Sequence, residues 1–300
     1  MRGHVPPAGT HGGDGVAVAR ALGIDPVELL DLSQNLNPFA PPVDALVIKH
    51  LDALRRYPDT QGSCRALSAA LGVDVERVVL TNGGSQAIHL VAAEVGGGVV
   101  AEPEFALHPR RTTGPRWRSN PHSPSGTLAS GEERVDVWDE AFYALATGRW
   151  TAGRPGIVVG SLTKTFACPG LRLGYVVAAD AAQAEQLRRR QPQWSVSALA
   201  AACLPDLLEL AELGGWSRRI REARGELVDV LRSRGLVVHS ADAPWVLVEA
   251  PRLRERLAPH GVLVRDCTSF GMPGMARIAV PDGDGLERLT RAMDATPSAD

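Results

Sequence analysis

The chain has 300 residues, of which 44% are hydrophobic and 22% charged, with a formal net charge of −2. These values are ordinary for a globular protein and exclude wholesale disorder, and a chain of this length needs no disulfide or metal to support its core. The near-neutral charge disfavours nonspecific binding to nucleic acid. Every uncharged, proline-free stretch is shorter than the roughly 18 residues of a membrane span, and no apolar run follows the first arginine as in a secretory signal. We therefore expect a cytoplasmic protein with no nucleic-acid or membrane partner.

The number and spacing of the lysines and cysteines indicate which reactive side chains the protein can use. Only two of the 32 basic residues are lysines, Lys49 and Lys164, a bias that codon usage explains. Because arginine cannot form an imine with a carbonyl, a lysine retained against this bias is a candidate for amine chemistry. Four cysteines are scattered without CxxC spacing, which predicts reduced thiols and no disulfide framework or zinc site. They are Cys64, Cys168, Cys203 and Cys267.

Strands alternate with helices through the first 180 residues. After an irregular, Gly- and Pro-rich stretch over 1–42 with a short helical patch near 15–22, apolar residues at helical spacing predict helices over 43–57 and 63–73. A strand, a Gly-rich turn and a helix follow over 77–97. Buried strands are predicted at four further places, namely 98–103, 135–142, 156–162 and 172–179. This alternation predicts a mostly parallel sheet with helices on both faces.

The pattern changes after about residue 180. Helices are predicted over 181–190 and over 197–234, the second with a break near Gly214 and Gly215. Strands then recur at 236–239, 245–250, 262–267 and 276–280, with helices at 251–259 and 284–295. We predict three parts: an N-terminal arm over 1–42 that packs with the small domain, a large domain over 43–213, and a small α+β domain over 214–300.

The segment SLTKTFACPGLRLGY, residues 161–175, carries the strongest chemical signal. It follows the apolar strand GIVVG, so it lies where α/β folds bind ligands, beyond the carboxyl end of a strand. Ser161 and Arg172 suit a phosphate, and the amine of Lys164 suits covalent bonding to a carbonyl. The alternative is a surface loop with solvated charges.

Two further segments support a ligand site. TNGGSQAI, residues 81–88, is a strand-to-helix turn whose glycines and free amides can bind phosphate, although it lacks both the P-loop lysine and a GxGxxG pattern. In VDVWDEAF, Asp139 ends an apolar strand, where a carboxylate is costly unless a cation pairs with it. A helix cap or a salt bridge would explain Asp139, and so would a protonated ring nitrogen on a ligand.

Taken in this order, the three segments resemble the class I and II aminotransferase superfamily, the fold-type I enzymes that use pyridoxal 5'-phosphate. The resemblance covers about residues 11–295, and SLTKTFACPGLRLG matches the family's lysine motif in composition and spacing. It implies a three-layer αβα large domain that binds the cofactor, with a small α+β domain beside it. It also implies a homodimer, because Tyr57 in RRYPD matches a tyrosine that reaches the cofactor phosphate across the dimer.

The resemblance assigns roles to individual residues. Lys164 would bind the cofactor covalently and then shuttle a proton, and Asp139 would pair with the ring nitrogen and keep it protonated. His108, in PEFALH, stands where the family usually has a ring-stacking tyrosine. Arg277, in ARIAV, matches the arginine that binds the substrate α-carboxylate. The cofactor phosphate would be held by Gly84, Ser85, Ser161 and Arg172.

Within the superfamily, four segments look like the threonine-phosphate decarboxylases of cobalamin synthesis, a group close to histidinol-phosphate aminotransferases. These segments are HGGD (11–14), DLSQNLNPFAPP (31–42), DEAF (139–142) and RDCTSFGMPG (265–274). A phosphorylated amino acid needs one cationic group for its carboxylate and another for its phosphate. Arg265 is the candidate for the second, and His11 and Asn35 could add donors. The alternatives are a surface salt bridge for Arg265, a mobile terminal residue for His11 and a turn-forming role for Asn35.

The sequence departs from the family pattern at two cofactor positions. Ser123, in NPHSPSG, occupies the position of an asparagine that donates to the phenolic oxygen of the cofactor, and Phe142 that of a tyrosine with the same role. Fewer hydrogen bonds to this ionised oxygen should raise the pKa of the lysine–cofactor imine and slow or redirect the chemistry. The chain is also short between 105 and 120 and between 126 and 135, where family members carry additional helix and strand.

Three functions therefore stay open. The first is decarboxylation of L-threonine O-3-phosphate to an aminopropanol phosphate, and the second is transamination of the histidinol-phosphate type in the same site. They differ in which bond at the α-carbon is held perpendicular to the cofactor ring, which no motif spacing reveals. The third is a catalytically silent protein that binds the cofactor.

Overall fold

The computed structural model of the protein describes residues 4–296. Its strands in chain order are β1 (Leu30–Asp31), β2 (Val78–Asn82), β3 (Gly98–Val99), β4 (Arg116–Ser119), β5 (Val137–Asp139), β6 (Ile157–Ser161), β7 (Leu173–Val177), β8 (Val237–Ser240), β9 (Trp245–Glu249), β10 (Val262–Leu263), β11 (Arg265–Asp266) and β12 (Met275–Ala279). Its α-helices are α1 (Gly15–Leu22), α2 (Asp44–Lys49), α3 (Gln61–Leu71), α4 (Gly83–Val95), α5 (Tyr143–Thr147), α6 (Leu162–Thr165), α7 (Ala181–Arg190), α8 (Ala198–Glu209), α9 (Leu213–Arg232), α10 (Leu253–Leu257) and α11 (Gly283–Asp294).

A six-stranded sheet forms the centre of the large part of the chain. Its order is β2-β7-β6-β5-β4-β3, and only β7 runs antiparallel to its neighbours. The predicted mostly parallel sheet is therefore confirmed. The strand predicted over 98–103 is shorter, because only Gly98 and Val99 pair with β4. Strand β4 was not predicted, because its two arginines alternate with Trp117 and Ser119 and make the segment look polar, although Trp117 and Ser119 are buried.

Helices cover both faces of this sheet, as the alternation of elements predicted. Side chains of consecutive strand residues point to opposite faces. Thus Val158 lies in the core beneath α3, α8 and α9, whereas Val159 lies in the core beneath α4 and α7. Since both faces are buried, β6 is apolar along its length until it ends at Ser161. The structure has three layers, and the ends of its central strands open towards the arm.

The C-terminal part has its own four-stranded antiparallel sheet, in the order β11-β12-β9-β8. Arg265 of β11 lies opposite Arg277 of β12 in the register. The N-terminal arm joins this part through β1, which pairs in parallel with β10 at Leu30 and Val262. The arm thereby reaches the face of the small sheet that looks towards the central strands.

The long helical region over 197–234 is interrupted earlier than predicted. Helix α8 ends at Glu209 and α9 begins at Leu213, so Gly214 and Gly215 lie inside the first turn of α9. Backbone N–H groups of a first turn have no partner within the helix, so glycine weakens a helix less there than in its interior. None of the helices within residues 4–296 combines the length and apolar character needed to cross a membrane.

Candidate active site

A cavity of about 370 Å³ opens where the central strands end, between the large part of the chain, the arm and the small sheet. One wall, the large-domain wall, is formed by the carboxyl ends of β5 and β6 and by the start of α4. Twelve of the fourteen residues predicted for the site line this cavity: His11, Asn35, Gly84, Ser85, Ser123, Asp139, Phe142, Ser161, Lys164, Arg172, Arg265 and Arg277. The other two, Tyr57 and His108, do not line it.

Lys164 lies in α6, directly after β6, with its side chain turned into the cavity. Its Nζ donates a hydrogen bond to the backbone carbonyl of Gln34, at 2.9 Å. Burial, followed by the positive charges of Arg277 and Arg172, lowers the pKa of Lys164 to about 8, while Asp31 acts against them. A larger share of the amine is therefore unprotonated near neutral pH than for an ordinary lysine, which suits a nucleophile. Lys49, in contrast, is exposed and paired with Asp206.

The start of α4 forms an anion-binding wall with Arg172 and Ser161. No side chain caps the first turn of α4, so its N–H groups are free to bind a ligand. Gly83 has φ of +76°, and a Cβ there would lie 2.5 Å from Nη2 of Arg172. A Cβ added at Gly84 would lie 3.2 Å from Cβ of Ser161. The glycines therefore let the helix start, the guanidinium and the hydroxyl come together, as a phosphate group requires.

Asp139 lies at the end of β5 with its carboxylate held from two sides. Its Oδ2 lies 2.9 Å from Nε2 of His108, and its Oδ1 accepts a hydrogen bond from the backbone N–H of Ala141 at 3.0 Å. The partner considered for Asp139 is therefore a histidine, which forms a salt bridge with it when the ring is protonated. Because Asp139 also lines the cavity, it can still face a cationic group of a ligand.

His108, predicted to stand where the family has a ring-stacking tyrosine, does not line the cavity in the structure. The turn in which the N–H of His108 donates to the carbonyl of Phe105 directs the His108 ring back against Asp139 and Trp117. Phe105 lines the cavity instead, with its ring edge-on to His108 at 5.7 Å between centroids. Spacing alone could not show which ring of PEFALH turns inwards.

Tyr57 lies on the surface, away from the cavity. Tyr57 is 76% exposed, and its ring stacks on that of Trp194, with the ring centroids 4.4 Å apart. Its predicted role requires a second subunit and stays a prediction.

Arg277 is buried at the small-sheet wall and has only neutral hydrogen-bond partners within residues 4–296. With the Asn35 amide oriented so that its oxygen faces Arg277, that oxygen accepts from Nη2 at 2.9 Å and from Nε at 3.2 Å. Nη1 lies 3.5 Å from Oγ of Ser123, and the guanidinium lies over the rings of Trp245 and Phe270. Burial and the nearby Arg265 lower the pKa of Arg277 to about 9.

Arg265 lies next to Arg277 and is also buried, which rules out a surface salt bridge. Its Nη2 donates to the carbonyl of Thr10 and to Oγ of Ser269, and its Nε has no hydrogen-bond partner among the described residues. Burial lowers the pKa of Arg265. The two arginines thus bring two positive charges to one wall of the cavity, and no carboxylate within residues 4–296 is bonded to either.

The arm carries His11 to the mouth of the cavity. Arg254, itself 2% exposed, holds the arm through the carbonyl of Pro6 and the carboxylate of Asp14, each at 2.6 Å. His11 is therefore held in place within the described arm, and burial followed by the charge of Arg265 lowers its pKa. Asn35 adopts φ of +52°, as a turn residue would, and also contacts Arg277.

The two departures from the family pattern face the cavity without replacing the missing donors. Phe142 packs edge-on against Trp245, with centroids 4.9 Å apart. The backbone N–H of Ser123 donates to Oγ of Ser119, and its own hydroxyl faces Arg277.

Several lining residues escaped the sequence analysis. Gln34 takes part through its backbone carbonyl, which no side-chain pattern signals. Phe105 and Phe270 stand beside quoted motif residues, so their aromatic rings were a usable signal. The remaining missed positions include Gly12, Gly13, Ser33, Leu107 and Ser119.

Comparison with known proteins defines the class of this protein. The family of aminotransferases of class I and II matches residues 117–295, and the chain belongs to this family. It is similar to threonine-phosphate decarboxylase of Salmonella typhimurium, with 29% identity over 94% of this chain and 95% of the relative. It is also similar to histidinol-phosphate aminotransferase 2 of Pseudomonas fluorescens, with the same identity of 29% over 88% of this chain and 87% of the relative.

Solved structures confirm the predicted fold. Histidinol-phosphate aminotransferase of Clostridium acetobutylicum superposes with a TM-score of 0.76 at 21% identity, over 89% of this chain and 98% of the other. The enzyme of the same name from Sinorhizobium meliloti, in complex with pyridoxal-5'-phosphate, gives 0.72 at 16% identity, over 86% and 88%. The predicted fold-type I architecture is therefore confirmed, and so is the predicted enzyme class, whose cofactor is pyridoxal 5'-phosphate.

Proposed function

We propose that the protein is an L-threonine O-3-phosphate decarboxylase that acts in cobalamin synthesis. The observation that carries the proposal is the pair Arg265 and Arg277, two buried guanidinium groups in register on neighbouring strands, each with neutral partners only. Buried cations are costly unless an anion pairs with them. A small substrate with both a carboxylate and a phosphate supplies one anion for each.

The residues of the large-domain wall fit pyridoxal phosphate. Its phosphate would be held by the uncapped start of α4 at Gly84 and Ser85, together with Ser161 and Arg172. Asp139 would face the ring nitrogen, Phe105 would pack on the ring, and Lys164 would reach the aldehyde. When bound, the cofactor supplies an electron sink for the negative charge that develops at the α-carbon.

The chain's own residues would orient the substrate and move one proton. Arg277 binds the α-carboxylate and Asn35 fixes the guanidinium, while Arg265 and His11 bind the phosphate. In a decarboxylation, the bond between the α-carbon and the carboxylate breaks and carbon dioxide leaves. The ammonium form of Lys164 then donates its proton to the α-carbon and is left as a neutral amine, a task that its lowered pKa of about 8 suits.

Transamination of the histidinol-phosphate type is the second candidate, because the chain shows the same identity of 29% to such an enzyme as to the decarboxylase. The test is to incubate the cofactor-loaded protein with L-threonine O-3-phosphate, and separately with histidinol phosphate and a 2-oxo acid, while assaying carbon dioxide and keto product. Carbon dioxide without keto product supports the decarboxylase, and the reverse supports the aminotransferase. A visible absorbance band with neither product would identify a silent homologue.

We also propose that the protein is a homodimer and that Tyr57 of one subunit completes the phosphate site of the other. Four large apolar side chains of this part of the chain are exposed, namely Ile48 at 66%, Leu54 at 63%, Tyr57 at 76% and Trp194 at 58%. Contact with a second copy would remove such side chains from water. Light scattering should give the mass of a dimer, and Tyr57→Phe should weaken cofactor binding without changing that mass.

A further inference from the structure

Glu104 is a buried carboxylate just outside the cavity. Its side chain is 2% exposed. Its Oε2 accepts a hydrogen bond from the backbone N–H of Ser119 at 2.9 Å, and its Oε1 accepts from Oγ of Ser119 and from the backbone N–H of Phe105. Because all of these partners donate, the arrangement suits an ionised carboxylate. A buried anion of this kind requires a cation nearby.

The ring of His108 is placed to supply that cation. It is fully buried, with Nδ1 3.8 Å from Oε1 of Glu104 and Nε2 2.9 Å from Oδ2 of Asp139. Nδ1 has no hydrogen-bond partner among the described residues, and the carboxylate of Glu104 is an acidic group that lies within 4 Å of it. Both nitrogens of one imidazole therefore face acidic oxygens.

The other charged groups of this segment do not neutralise Glu104. Arg110 forms an ion pair with the exposed Glu102 and donates to the backbone carbonyls of Glu104, Phe105 and His108. The remaining sides of the His108 ring meet the aromatic rings of Phe105 and Trp117.

A neutral imidazole fits this environment poorly. It carries one N–H group and one lone pair, so either tautomer directs a lone pair at a carboxylate. An imidazolium has an N–H group on each side, one towards Asp139 and one towards Glu104, and it brings the positive charge that the buried Glu104 lacks.

We propose that Glu104 is a positioning residue that keeps His108 doubly protonated, and that this imidazolium holds Asp139 as the anion facing the cavity. His108⁺ alone would cancel the charge of Asp139, whereas the three groups together keep one net negative charge. That charge matches the protonated ring nitrogen of the cofactor, so the inference rests on the proposed cofactor site. Glu104 also holds Ser119, whose Oγ accepts the N–H of Ser123, so one carboxylate supports two walls of the ring site.

The direct test is the protonation of His108 in the full chain. Nitrogen NMR of protein labelled with ¹⁵N-histidine, with His108→Gln for assignment, should show both ring nitrogens of His108 protonated at neutral pH. In Glu104→Gln one nitrogen should shift to the position of an unprotonated nitrogen. Glu102→Gln is the matched control, because it removes the same charge from an exposed side chain two residues away, and it should leave both signals unchanged.

A second measurement addresses the cofactor. Equilibrium dialysis with pyridoxal phosphate should show about tenfold weaker binding for Glu104→Gln than for Glu102→Gln, the scale of a lost charged interaction. An unprotonated nitrogen on His108 of the wild-type protein would overturn the inference, even if Glu104→Gln failed to fold. Equal His108 signals in the two variants would overturn it as well. Absence of a lysine-dependent absorbance band in the wild type would instead refute the proposed function, and the His108 signals would still decide the state of that ring.

Discussion

The two sides of the cavity are built in opposite ways. On the large-domain side, Asp139 and Lys164 stand at the ends of neighbouring strands, and each is already bonded to a group of the protein. On the side of the arm and small sheet, Arg265 and Arg277 are buried against carbonyl, amide, hydroxyl and aromatic groups. The first side has its polar partners in place, whereas the second carries two guanidinium groups to which no carboxylate of the described chain is bonded.

This difference indicates how the two sides would work. A wall with its partners in place can hold a cofactor in one orientation through many turnovers. A wall with two guanidinium groups that are not bonded to a carboxylate binds a ligand that brings anions, and holds that ligand less tightly when an anion is lost. Loss of a carboxylate as carbon dioxide removes one of the two charges, so the proposed product would bind less tightly than the substrate.

The largest effect is expected on the large-domain side, from Lys164→Ala. Activity should fall on the order of 10²–10⁴-fold, the scale of a positioned acid–base group. The visible band of the lysine–cofactor adduct should disappear from the absorbance spectrum. The fold should survive, because Lys164 makes one side-chain hydrogen bond, to the carbonyl of Gln34.

Lys49→Ala provides the control for this prediction, because Lys49 is the other lysine and lies exposed in α2. It should keep both band and activity. An adduct that borohydride still reduces in Lys164→Ala would point to Lys49 and would contradict the account of this side.

The comparison also explains what could be predicted from the sequence. The large-domain side could be predicted from the sequence because Ser161, Lys164 and Arg172 belong to one continuous segment. The end of a buried strand could also be predicted, because an apolar run is followed there by a polar residue. The orientation of His108 could not be predicted, because one turn decides whether its ring or that of Phe105 points into the cavity. In the structure the His108 ring lies against the carboxylate of Asp139 instead.

The side that would bind the substrate could be predicted from the sequence only in part. Arg265 and Arg277 could be named from two segments, but their burial and their neutral partners depend on chain far away in sequence. Thr10 reaches Arg265 across 255 positions, and Gln34 meets Lys164 through a backbone carbonyl across 130. Such contacts carry no local periodicity, so they became visible only in the folded structure.

The next largest effect concerns stability at the end of β5, where Glu140 follows Asp139. Burial raises the pKa of Glu140 from 4.5 to about 7, although the N–H of Ala152 donates to its carboxyl group. The folded state thus binds a proton more tightly than the unfolded state. Stability should fall as pH rises from 4.5 to about 7, by up to about 3 kcal/mol at 1.36 kcal/mol per pKa unit.

Glu140→Gln should abolish this contribution, because glutamine does not ionise, and should flatten the free energy of unfolding across the same pH range. Denaturant unfolding at a series of pH values measures it. Glu287→Gln, on the exposed face of α11, should keep the slope of the wild type. A wild-type stability independent of pH over this range would mean that the end of β5 tolerates a buried charge.

On the substrate side, Arg277→Lys should weaken substrate binding by about 1.5–3 kcal/mol, because lysine cannot reproduce the fork of a guanidinium. The Michaelis constant for L-threonine O-3-phosphate should rise, whereas the affinity for the cofactor should stay close to that of the wild type. Arg291→Lys, an exposed residue of α11, is the matched control. An unchanged Michaelis constant would remove Arg277 from the carboxylate site and with it the contrast between the two walls.

The smallest effect tests how closely the large-domain wall is fitted. Gly83→Ala places a Cβ 2.5 Å from Nη2 of Arg172 at a φ of +76°, which costs about 1–2 kcal/mol of strain. If Arg172 moves to relieve the contact, dialysis should show weaker binding of pyridoxal phosphate. Gly62→Ala, in α3 with open space around the new methyl group, should instead stabilise by about 0.4–1 kcal/mol. Since both variants add one methyl group at the start of a helix, wild-type cofactor affinity in Gly83→Ala would mean that the guanidinium and the helix start do not bind the same anion.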